Sequence, residues 1–266
     1  TSVSAAGDVN GDGYDDVIIS ATGASPNGEY SGSAYVVFGT SDIANIELSD
    51  IESGTGGFVI NGAEAYDNIG SSVSAAGDFN GDGYDDVIIG ASYTSPNGEY
   101  SGSTYVVYGK TSTNAIEISN LVQNGYGALI NGADAFDFSG TSVSAAGDVN
   151  GDGYDDVIIS AIGADPNNKS AGTSYVVFGK NEVFVEIDLL DFETGMDPSG
   201  FVINGVDSDD YIGDSVAAGD VNGDGLVDII IGTSSPSPNG EYSGSTYVVF
   251  GTSDIANIEL SDIESG

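Results

Sequence analysis

The chain contains no cysteine, no histidine and no arginine. Its only basic residues are Lys110, Lys169 and Lys180, against 42 acidic residues in a chain of 266, so the formal net charge is −39. Binding to nucleic acid or to an anionic membrane surface needs a cationic patch, which this composition cannot build. We therefore expect no nucleic-acid partner. Because like charges oppose compaction, we expect metal cations to enter the folded state.

The missing residue types also restrict chemistry and location. Without cysteine the chain has no disulfides and no thiolate metal sites. Without histidine and cysteine it lacks the usual residues of nucleophilic triads and zinc hydrolysis, so we expect no enzyme and no catalytic residues. A pair of carboxylates hydrolysing a glycoside is the remaining enzymatic alternative. No apolar run approaches about 18 residues, so no membrane insertion is expected. No signal peptide is recognisable, and the first residue already lies inside a repeat, which suggests a mature or excised fragment.

One unit is repeated four times along the chain. Its acidic phrase, GDVNGDGYDD in the first copy, begins at residue 7 and returns at 77, 147 and 219. The segments SVSAAGD, DDVII, YVVFG and FVING recur around it, although the fourth copy ends at SDIESG, before its FVING segment. Repeats of this length indicate a solenoid, an array or a propeller. We divide the single region 1–266 into repeats at about 1–70, 71–140, 141–212 and 213–266.

The recurring segments predict an all-β fold. Each is short, rich in Val, Ile, Tyr and Phe, and bounded by Gly, Asn, Asp or Ser, as is typical of strands. Four antiparallel strands per unit, repeated radially, form the blade of a β-propeller. A β-sandwich is the alternative. IELSDI, at 46 and 258, is either a short extra strand or a helical turn. Since the last repeat lacks its outer strand, we expect part of a larger ring rather than four blades that close imperfectly.

The acidic phrase predicts a cation-binding loop. In the first copy, side-chain oxygens stand at positions 1, 3, 5 and 9, and the carbonyl at position 7 completes a shell suited to Ca²⁺, a hard cation that takes six to eight oxygens. The eighth position, Asp15, is Val227 in the fourth copy, so we exclude it from the ligand set. An EF-hand is rejected because position 12 is Ile19, inside an apolar strand. An ion-free Asn- and Gly-rich turn is the alternative, which the fourfold recurrence disfavours.

The predicted ligands occupy the same five positions in each repeat, with one Ca²⁺ per repeat and four in the chain. They are Asp8, Asn10, Asp12, Tyr14, Asp16, Asp78, Asn80, Asp82, Tyr84, Asp86, Asp148, Asn150, Asp152, Tyr154, Asp156, Asp220, Asn222, Asp224, Leu226 and Asp228.

On these residues the chain resembles the FG-GAP repeat family, the blade type of integrin α-subunit propellers and of many bacterial surface proteins. The resemblance rests on the D-x-N-G-D-G-x-x-D loop and covers nearly the whole chain. The family's Phe-Gly pair is Ile69-Gly70, Ser139-Gly140 and Ile212-Gly213 here, and its Gly-Ala-Pro element is Gly90-Ala91-Ser92. The resemblance implies calcium between the first and second strands of each blade and a ring of about seven blades.

Loops of an antiparallel blade alternate between two faces. We expect the calcium loops and the connections between third and fourth strands on one face. The other face should carry SPNGEYSGS at 25–33, 95–103 and 237–245, together with the crossovers between repeats. Tyr30, Tyr100 and Tyr242 are candidates there for stacking on a sugar or packing against a protein. The alternative is that each merely caps a strand end beside a Pro-Asn-Gly turn.

The expected function is a calcium-stabilised adhesion or structural module, extracellular or at the cell surface, secreted and bacterial. Its partner would be a protein or glycan bound on the face opposite the calcium loops. A carbohydrate-binding, lectin-like propeller is the alternative function. Self-association stays open.

Overall fold

A computed structural model describes residues 1–42, 45–167, 169–181, 186–235, 243–251 and 256–264. The first unit contains β1 (Val3–Gly7), β2 (Asp16–Ala21), β3 (Ser33–Val37), α1 (Leu48–Glu52) and β4 (Gly57–Asn61). The second contains β5 (Val73–Gly77), β6 (Asp86–Ala91), β7 (Ser103–Val107), β8 (Ile116–Glu117), a 3₁₀ turn (Ile118–Asn120) and β9 (Gly127–Asn131). The third contains β10 (Ser139–Gly147), β11 (Asp156–Ala161), β12 (Thr173–Val177), β13 (Ile187–Asp188), α2 (Leu189–Glu193) and β14 (Gly200–Asn204). The fourth contains β15 (Ser215–Gly219), β16 (Asp228–Thr233), β17 (Ser245–Val249), β18 (Ile258–Glu259) and α3 (Leu260–Glu264).

The fold is all-β and is built of four blade-like sheets, as predicted. In each of the first three units, four antiparallel strands pair in chain order, and in the fourth unit three strands pair in that way. No sheet of the described residues joins the first unit to the fourth. Within those residues, no helix is long and apolar enough to cross a membrane.

The hydrophobic core lies between consecutive sheets. Strand side chains that point toward a neighbouring sheet are apolar and buried, and three clusters fill the spaces between units one and two, two and three, and three and four. The residue after the first aspartate of each acidic loop contributes to this layer. Val9 and Phe79 are fully buried beneath the following unit, whereas Val221 in the fourth loop is 57% exposed.

The second, third and fourth units are each also joined to the unit before by a two-residue parallel strand. The connection between the third and fourth strands leaves the loop face and runs over the outer strand of the preceding unit, where β8 pairs with β4, β13 with β9 and β18 with β14. The prediction that these connections lie on the calcium-loop face is therefore only partly right. The pairing partner belongs to another unit, about 55 residues earlier in the chain, so local sequence could not reveal it.

The two alternatives for IELSDI are both realised. In the fourth unit its first residues form β18, which pairs with β14, and the following residues form α3. In the first unit the segment contributes α1, whose buried Ile51 packs against Gly57 at the start of β4. These helices are a single turn or little more, and they cover the outer part of a sheet.

Candidate metal centre and the opposite face

Each acidic phrase forms the hairpin connection between the first and second strands of its unit. In the first loop, Gly11 and Gly13 adopt φ values of 73° and 89°, a left-handed backbone that glycine accepts without steric cost. The equivalent glycines of the other three loops have φ values within a few degrees of these. The repeated phrase therefore folds into the same tight turn four times.

The side chains at positions 1, 3 and 5 turn inward onto backbone amides of their own loop. Asp8 accepts hydrogen bonds from the amides of Asp12 and Gly13, at 3.0 and 2.9 Å. Asn10 accepts from the Asp12 amide at 2.8 Å, and Asp12 accepts from the Tyr14 amide at 3.0 Å. The same four bonds recur in the other loops. In each loop, the oxygen-bearing side chains at positions 1, 3 and 5 therefore all turn toward the inside of the loop.

The aspartate at position 9 lies beneath the loop and is buried. One oxygen of Asp16 accepts from the Val9 amide at 3.0 Å, and the other accepts from the Gly39 amide at 2.7 Å, just beyond β3. Asp156 and Asp228 make the equivalent contacts, and Asp86 accepts from the amides of Asn80 and Gly109. This carboxylate therefore fastens the loop to the end of the third strand.

Burial and neighbouring carboxylates disfavour the charged form of three of these aspartates. Burial raises the pKa of Asp16 to about 6, of Asp86 to about 8 and of Asp156 to about 7. The carboxylates at positions 1 and 5 of the same loop raise it further. In the last unit the hydrogen bond from the Gly251 amide lowers the pKa of Asp228. The three raised pKa values show that negative charge is unfavourable at these carboxyls, and a nearby cation would favour their ionised form.

The donor set of the loops suits calcium. All the side-chain atoms that could coordinate a cation are carboxylate or amide oxygens. An oxygen that accepts one hydrogen bond from a backbone amide retains a second lone pair, which is available to a cation. In the part of the chain that the structure describes, no group of three carboxylates is already arranged around one point as a closed metal cluster. Binding would therefore require the loop oxygens to exchange some amide contacts for the ion.

Positions 7 and 8 serve a purpose that sequence reasoning missed. The Tyr84 ring lies over Gly11 of the preceding unit's loop, where an added Cβ would come within 2.6 Å of it. Asp85 accepts a hydrogen bond from the amide of Asp8 at 2.7 Å, and Asp155 does so from Asp78 at 2.8 Å. The sequence did carry a signal of this second use. An aspartate recurs at position 8 in three loops, although position 8 is not among the predicted calcium ligands.

The fourth loop replaces this polar contact with an apolar one. Val227 stands at position 8 there, and its methyl groups lie 3.1 and 3.8 Å from the place that a Cβ on Gly147 would occupy. Position 8 is therefore used between units in all three junctions of the described residues.

The opposite face carries the expected turns and crossovers. Asn27 donates to the carbonyl of Gly62 at 2.8 Å, and the Tyr66 amide donates to the carbonyl of Glu29, so the turn and the crossover of one unit are held together. Tyr30 and Tyr100 are exposed there, as predicted. Tyr242 lies outside the described residues.

More aromatic side chains gather on this face than the sequence suggested. The ring of Tyr100 stacks on Phe138 with centroids 5.8 Å apart, and Tyr93 meets Tyr100 edge-on at 5.9 Å. A groove of about 560 Å³ borders Tyr93 and Tyr100 and is lined by residues of the first two units and by Glu186 of the third. Its polar and aromatic lining includes Glu64, Tyr66, Asp67, Tyr93, Tyr100 and Glu186. We call this region the tyrosine face.

Backbone strain is concentrated on the tyrosine face. Tyr30, Tyr66, Tyr100, Phe136 and Phe138 all have φ values between 54° and 71°, a left-handed conformation that costs bulky residues of order 1–3 kcal/mol. Residues with such a cost persist where surrounding contacts fix them. The geometry presents aromatic surface to solvent in a fixed orientation.

Comparison with known proteins identifies the repeat. A model of the FG-GAP repeat matches residues 1–37, 69–107, 139–177 and 212–249, which is the span from the first to the third strand of each unit. Phosphatidylinositol-glycan-specific phospholipase D of Rattus norvegicus is 32% identical over 173 residues, covering 64% of this chain and 19% of the relative. Integrin alpha-5 of Xenopus laevis is 30% identical over 164 residues, which are 59% of this chain and 14% of the relative. Integrin alpha pat-2 of Caenorhabditis briggsae is 28% identical over 241 residues, which are 86% of this chain and 17% of the relative. The chain spans less than a fifth of the length of these relatives.

Proposed function

This chain belongs to the FG-GAP repeat family, and from that starting point we propose that it is a calcium-stabilised, extracellular module for adhesion or protein interaction. The matches to integrin alpha subunits support a role in protein interaction. A phospholipase D is also among the relatives, but the matched region is 19% of it. With no histidine, cysteine or arginine in the chain, we propose no catalytic role.

Calcium would be held by positions 1, 3, 5, 7 and 9 of each loop. The observation that carries this proposal is the fourfold recurrence of one geometry, in which three oxygen-bearing side chains converge above a buried aspartate. The ion would supply positive charge where the carboxylates are densest. Asp8 and Asp12 would contribute exposed oxygens, and Asp16 would anchor the ion to the end of the third strand.

Calcium in these loops would also stabilise the contacts between units. The position 1 aspartate is at once a proposed ligand and the donor, through its amide, to the carboxylate at position 8 of the next unit. Fixing the loop therefore fixes the place where two units meet. Four divalent cations would also lower the magnitude of the net charge by eight, which weakens self-repulsion.

The availability of calcium outside cells supports the proposed extracellular location. Calcium loops of extracellular modules typically bind with dissociation constants of about 10⁻⁴–10⁻³ M, which match calcium concentrations outside cells. Calcium bound to the folded chain would offset the charge of its carboxylates, so the chain would be stable where such calcium concentrations are maintained.

Thermal unfolding in calcium and in excess chelator tests the proposal. We expect the chelator to lower Tm sharply and added calcium to restore it, because an ion that binds only the folded state stabilises it by mass action. Asp12→Ala should reduce the calcium-dependent part of Tm, and Asp15→Ala should leave it unchanged. Asp15 is the matched control, since it is an exposed acid of the same loop outside the ligand set. A wild-type Tm that is equal in calcium and in chelator would refute the calcium proposal.

A carbohydrate ligand is a second candidate, which the tyrosine face favours. Exposed aromatic rings bordering a groove with carboxylates can stack on a sugar while the carboxylates accept its hydroxyl hydrogen bonds. Binding to a glycan array should disappear in Tyr100→Ala and persist in Tyr126→Ala, because Tyr126 is an exposed tyrosine before β9, outside the groove. Absence of binding to every glycan on the array would reject this candidate and leave a protein partner.

A further inference from the structure

The groove on the tyrosine face contains a buried acceptor without a partner. Asn131, at the end of β9, lines the groove and is only 5% exposed. Its side-chain nitrogen donates to the carboxylate of Glu186, but no group of the described residues donates to its Oδ1. Because a buried polar atom without a hydrogen bond is unfavourable, we expect this oxygen to accept from a ligand.

The equivalent asparagines of the first and third units have a donor within their own unit. In the first unit the Ser33 hydroxyl donates to Asn61 Oδ1 at 3.3 Å, and the third unit has the same contact from a threonine hydroxyl at 3.4 Å. In the second unit Ser103 holds the place of Ser33, and it accepts instead from the Thr94 hydroxyl at 2.8 Å. The first and third units have alanine where Thr94 stands. The free acceptor is therefore particular to the second unit among these three.

Two further replacements shape the groove of the second unit. In the first unit the Tyr35 hydroxyl donates to Glu52 at 2.9 Å, and the third unit has the same tyrosine–glutamate pair. The second unit has Val122 in place of the glutamate, so no carboxylate of its own covers Tyr105. It also has Tyr93 where the other two units have glycine. The groove is therefore open beside a buried tyrosine and is bordered by an additional ring.

The charge in the groove is negative and has no basic side chain beside it. Glu64, Asp67 and Glu186 line the groove, and none of the three lysines of the chain does. Burial raises the pKa of Asp67, so its ionised form lacks sufficient stabilisation from its surroundings. The place of Glu186 is taken by Ala115 and Asn257 in the second and fourth units. A ligand that enters this groove displaces water from carboxylates, which favours a positively charged donor over a neutral one.

The walls of the groove suit a sugar ring. Tyr66, Tyr93 and Tyr100 line it from both units, and the Tyr66 hydroxyl is held by Glu29 at 2.6 Å. Such rings pack against the apolar faces of a sugar while the polar groups beside them bind its hydroxyls. The volume of the groove also lies within the range of about 300–1,000 Å³ that is typical of sites for small molecules. These features favour a ring-bearing ligand over a single extended side chain.

We propose that this groove binds an amino sugar whose ring packs on the tyrosines and whose ammonium group donates to Asn131 Oδ1 among the carboxylates of Asp67 and Glu186. The inference rests on the carbohydrate candidate of the proposed function and names its chemical class. An N-acetyl group removes the positive charge and adds bulk, so N-acetylated sugars should bind poorly. Anionic sugars should be repelled by the groove carboxylates and by the net charge of −39.

Calorimetric titration of the wild-type chain in calcium with three tetramers tests the ligand class. The tetramers are β-1,4-linked glucosamine, its fully N-acetylated form and lysine, all measured at a pH at which the sugar amine is protonated. We expect saturable binding of the glucosamine tetramer, at least about tenfold tighter than binding of the acetylated form, which lacks the charge. The lysine tetramer should also bind at least about tenfold more weakly, because it has charge but no ring to pack on the tyrosines.

A pair of double variants locates the site. Asp67→Asn with Glu186→Gln removes two charges from the groove and keeps the oxygens that accept hydrogen bonds in the wild type. Glu99→Gln with Asp209→Asn removes two exposed charges outside the groove lining and is the matched control. The affinity for the glucosamine tetramer should fall at least about tenfold in the groove pair and stay within about twofold in the control pair. Tm in calcium verifies that both variants are folded.

The outcomes separate this inference from the proposed function. Absence of saturable binding by the glucosamine tetramer, equal affinity of the acetylated or lysine tetramer, or equal losses in the two double variants would overturn the amino-sugar site. Binding of neutral glycans that is lost in Tyr100→Ala would then still support the carbohydrate candidate. The dependence of Tm on calcium tests the calcium-stabilised module by itself, since the groove lies apart from the calcium loops.

Discussion

Adjacent aspartates of one loop serve different parts of the molecule. Asp86 is buried and holds the loop to its own unit, through the Gly109 amide at 2.8 Å. Asp85 reaches the preceding unit, where it accepts from the amide of Asp8. The repeats allow the contact between units to be tested by itself. Asp15 occupies the same loop position as Asp85, but its loop has no preceding unit in the structure.

Removing the carboxylate that joins two loops should destabilise the fold. Asp85→Ala leaves the amide of Asp8 without its charged acceptor, so we expect the free energy of unfolding to fall by about 1.5–3 kcal/mol. Asp15→Ala should change it little. Urea denaturation of both variants in calcium measures the difference. Equal losses in the two variants would contradict a role for position 8 between units.

The buried carboxylate of Asp137 predicts a pH dependence of stability. Burial first, and then the carboxylates of Glu193, Asp134 and Asp165, raise its pKa from 3.8 to about 7. The folded protein therefore retains a proton that the unfolded chain releases, so this contribution to stability is full below about pH 4 and is lost as the pH rises to about 7.

Asp137→Asn should remove that pH dependence, because asparagine stays neutral and keeps the acceptor for the Asp134 amide. We expect the unfolding free energy of the wild type minus that of the variant to fall by on the order of 1.4 kcal/mol per pH unit within this window, and to be flat above it. Urea denaturation across the pH range gives the difference. A difference that is constant with pH would show that Asp137 is charged throughout.

At the scale of elements, strands paired within a unit were predictable from sequence and strands paired between units were not. The SVSAAGD, DDVII, YVVFG and FVING segments carry their own β-propensity, and each finds its partner nearby in the chain. β8 has two residues and exists because β4 of the preceding unit accepts it. Glu117 at its end also accepts hydrogen bonds from Asn27 and Asn61, 90 and 56 residues away. No local pattern encodes such contacts.

The layer between units should contribute much of the stability. Phe79 is fully buried between the second and third units, so Phe79→Ala should lower the unfolding free energy by about 3–5 kcal/mol. Val221 holds the same repeat position and is 57% exposed, so Val221→Ala should cost far less. Chemical denaturation of the two variants compares them. A small effect of Phe79→Ala would show that units are held together mainly by their hydrogen bonds.

At the scale of the whole molecule, the contact between the acidic loops of consecutive units is repeated with small changes. An aspartate and a tyrosine join the first loop to the second and the second to the third, and a valine takes over between the third and fourth. The composition and spacing of the acidic phrase predicted a recurring loop and its candidate ligands. They could not predict the second role of the loop, because that role depends on which loops become neighbours in space.

The tyrosine face illustrates the same limit. Tyr30 and Tyr100 were identified from the repeated turn, but Tyr93 and Phe138 belong to different segments of the repeat. Folding brings Tyr93, Tyr100 and Phe138 within about 6 Å of one another between ring centroids. Contacts of this kind become visible only when the crossover and the turn are placed side by side.

The central claim is that each acidic loop holds one calcium ion, and calorimetric titration of the chelator-stripped chain tests it most directly. We predict four ions per wild-type chain and three for a variant with Asp78→Ala and Asp82→Ala in the second loop, with Asp85→Ala still binding four. A wild-type chain that binds no calcium, or a loop variant that still binds four ions, would contradict the claim.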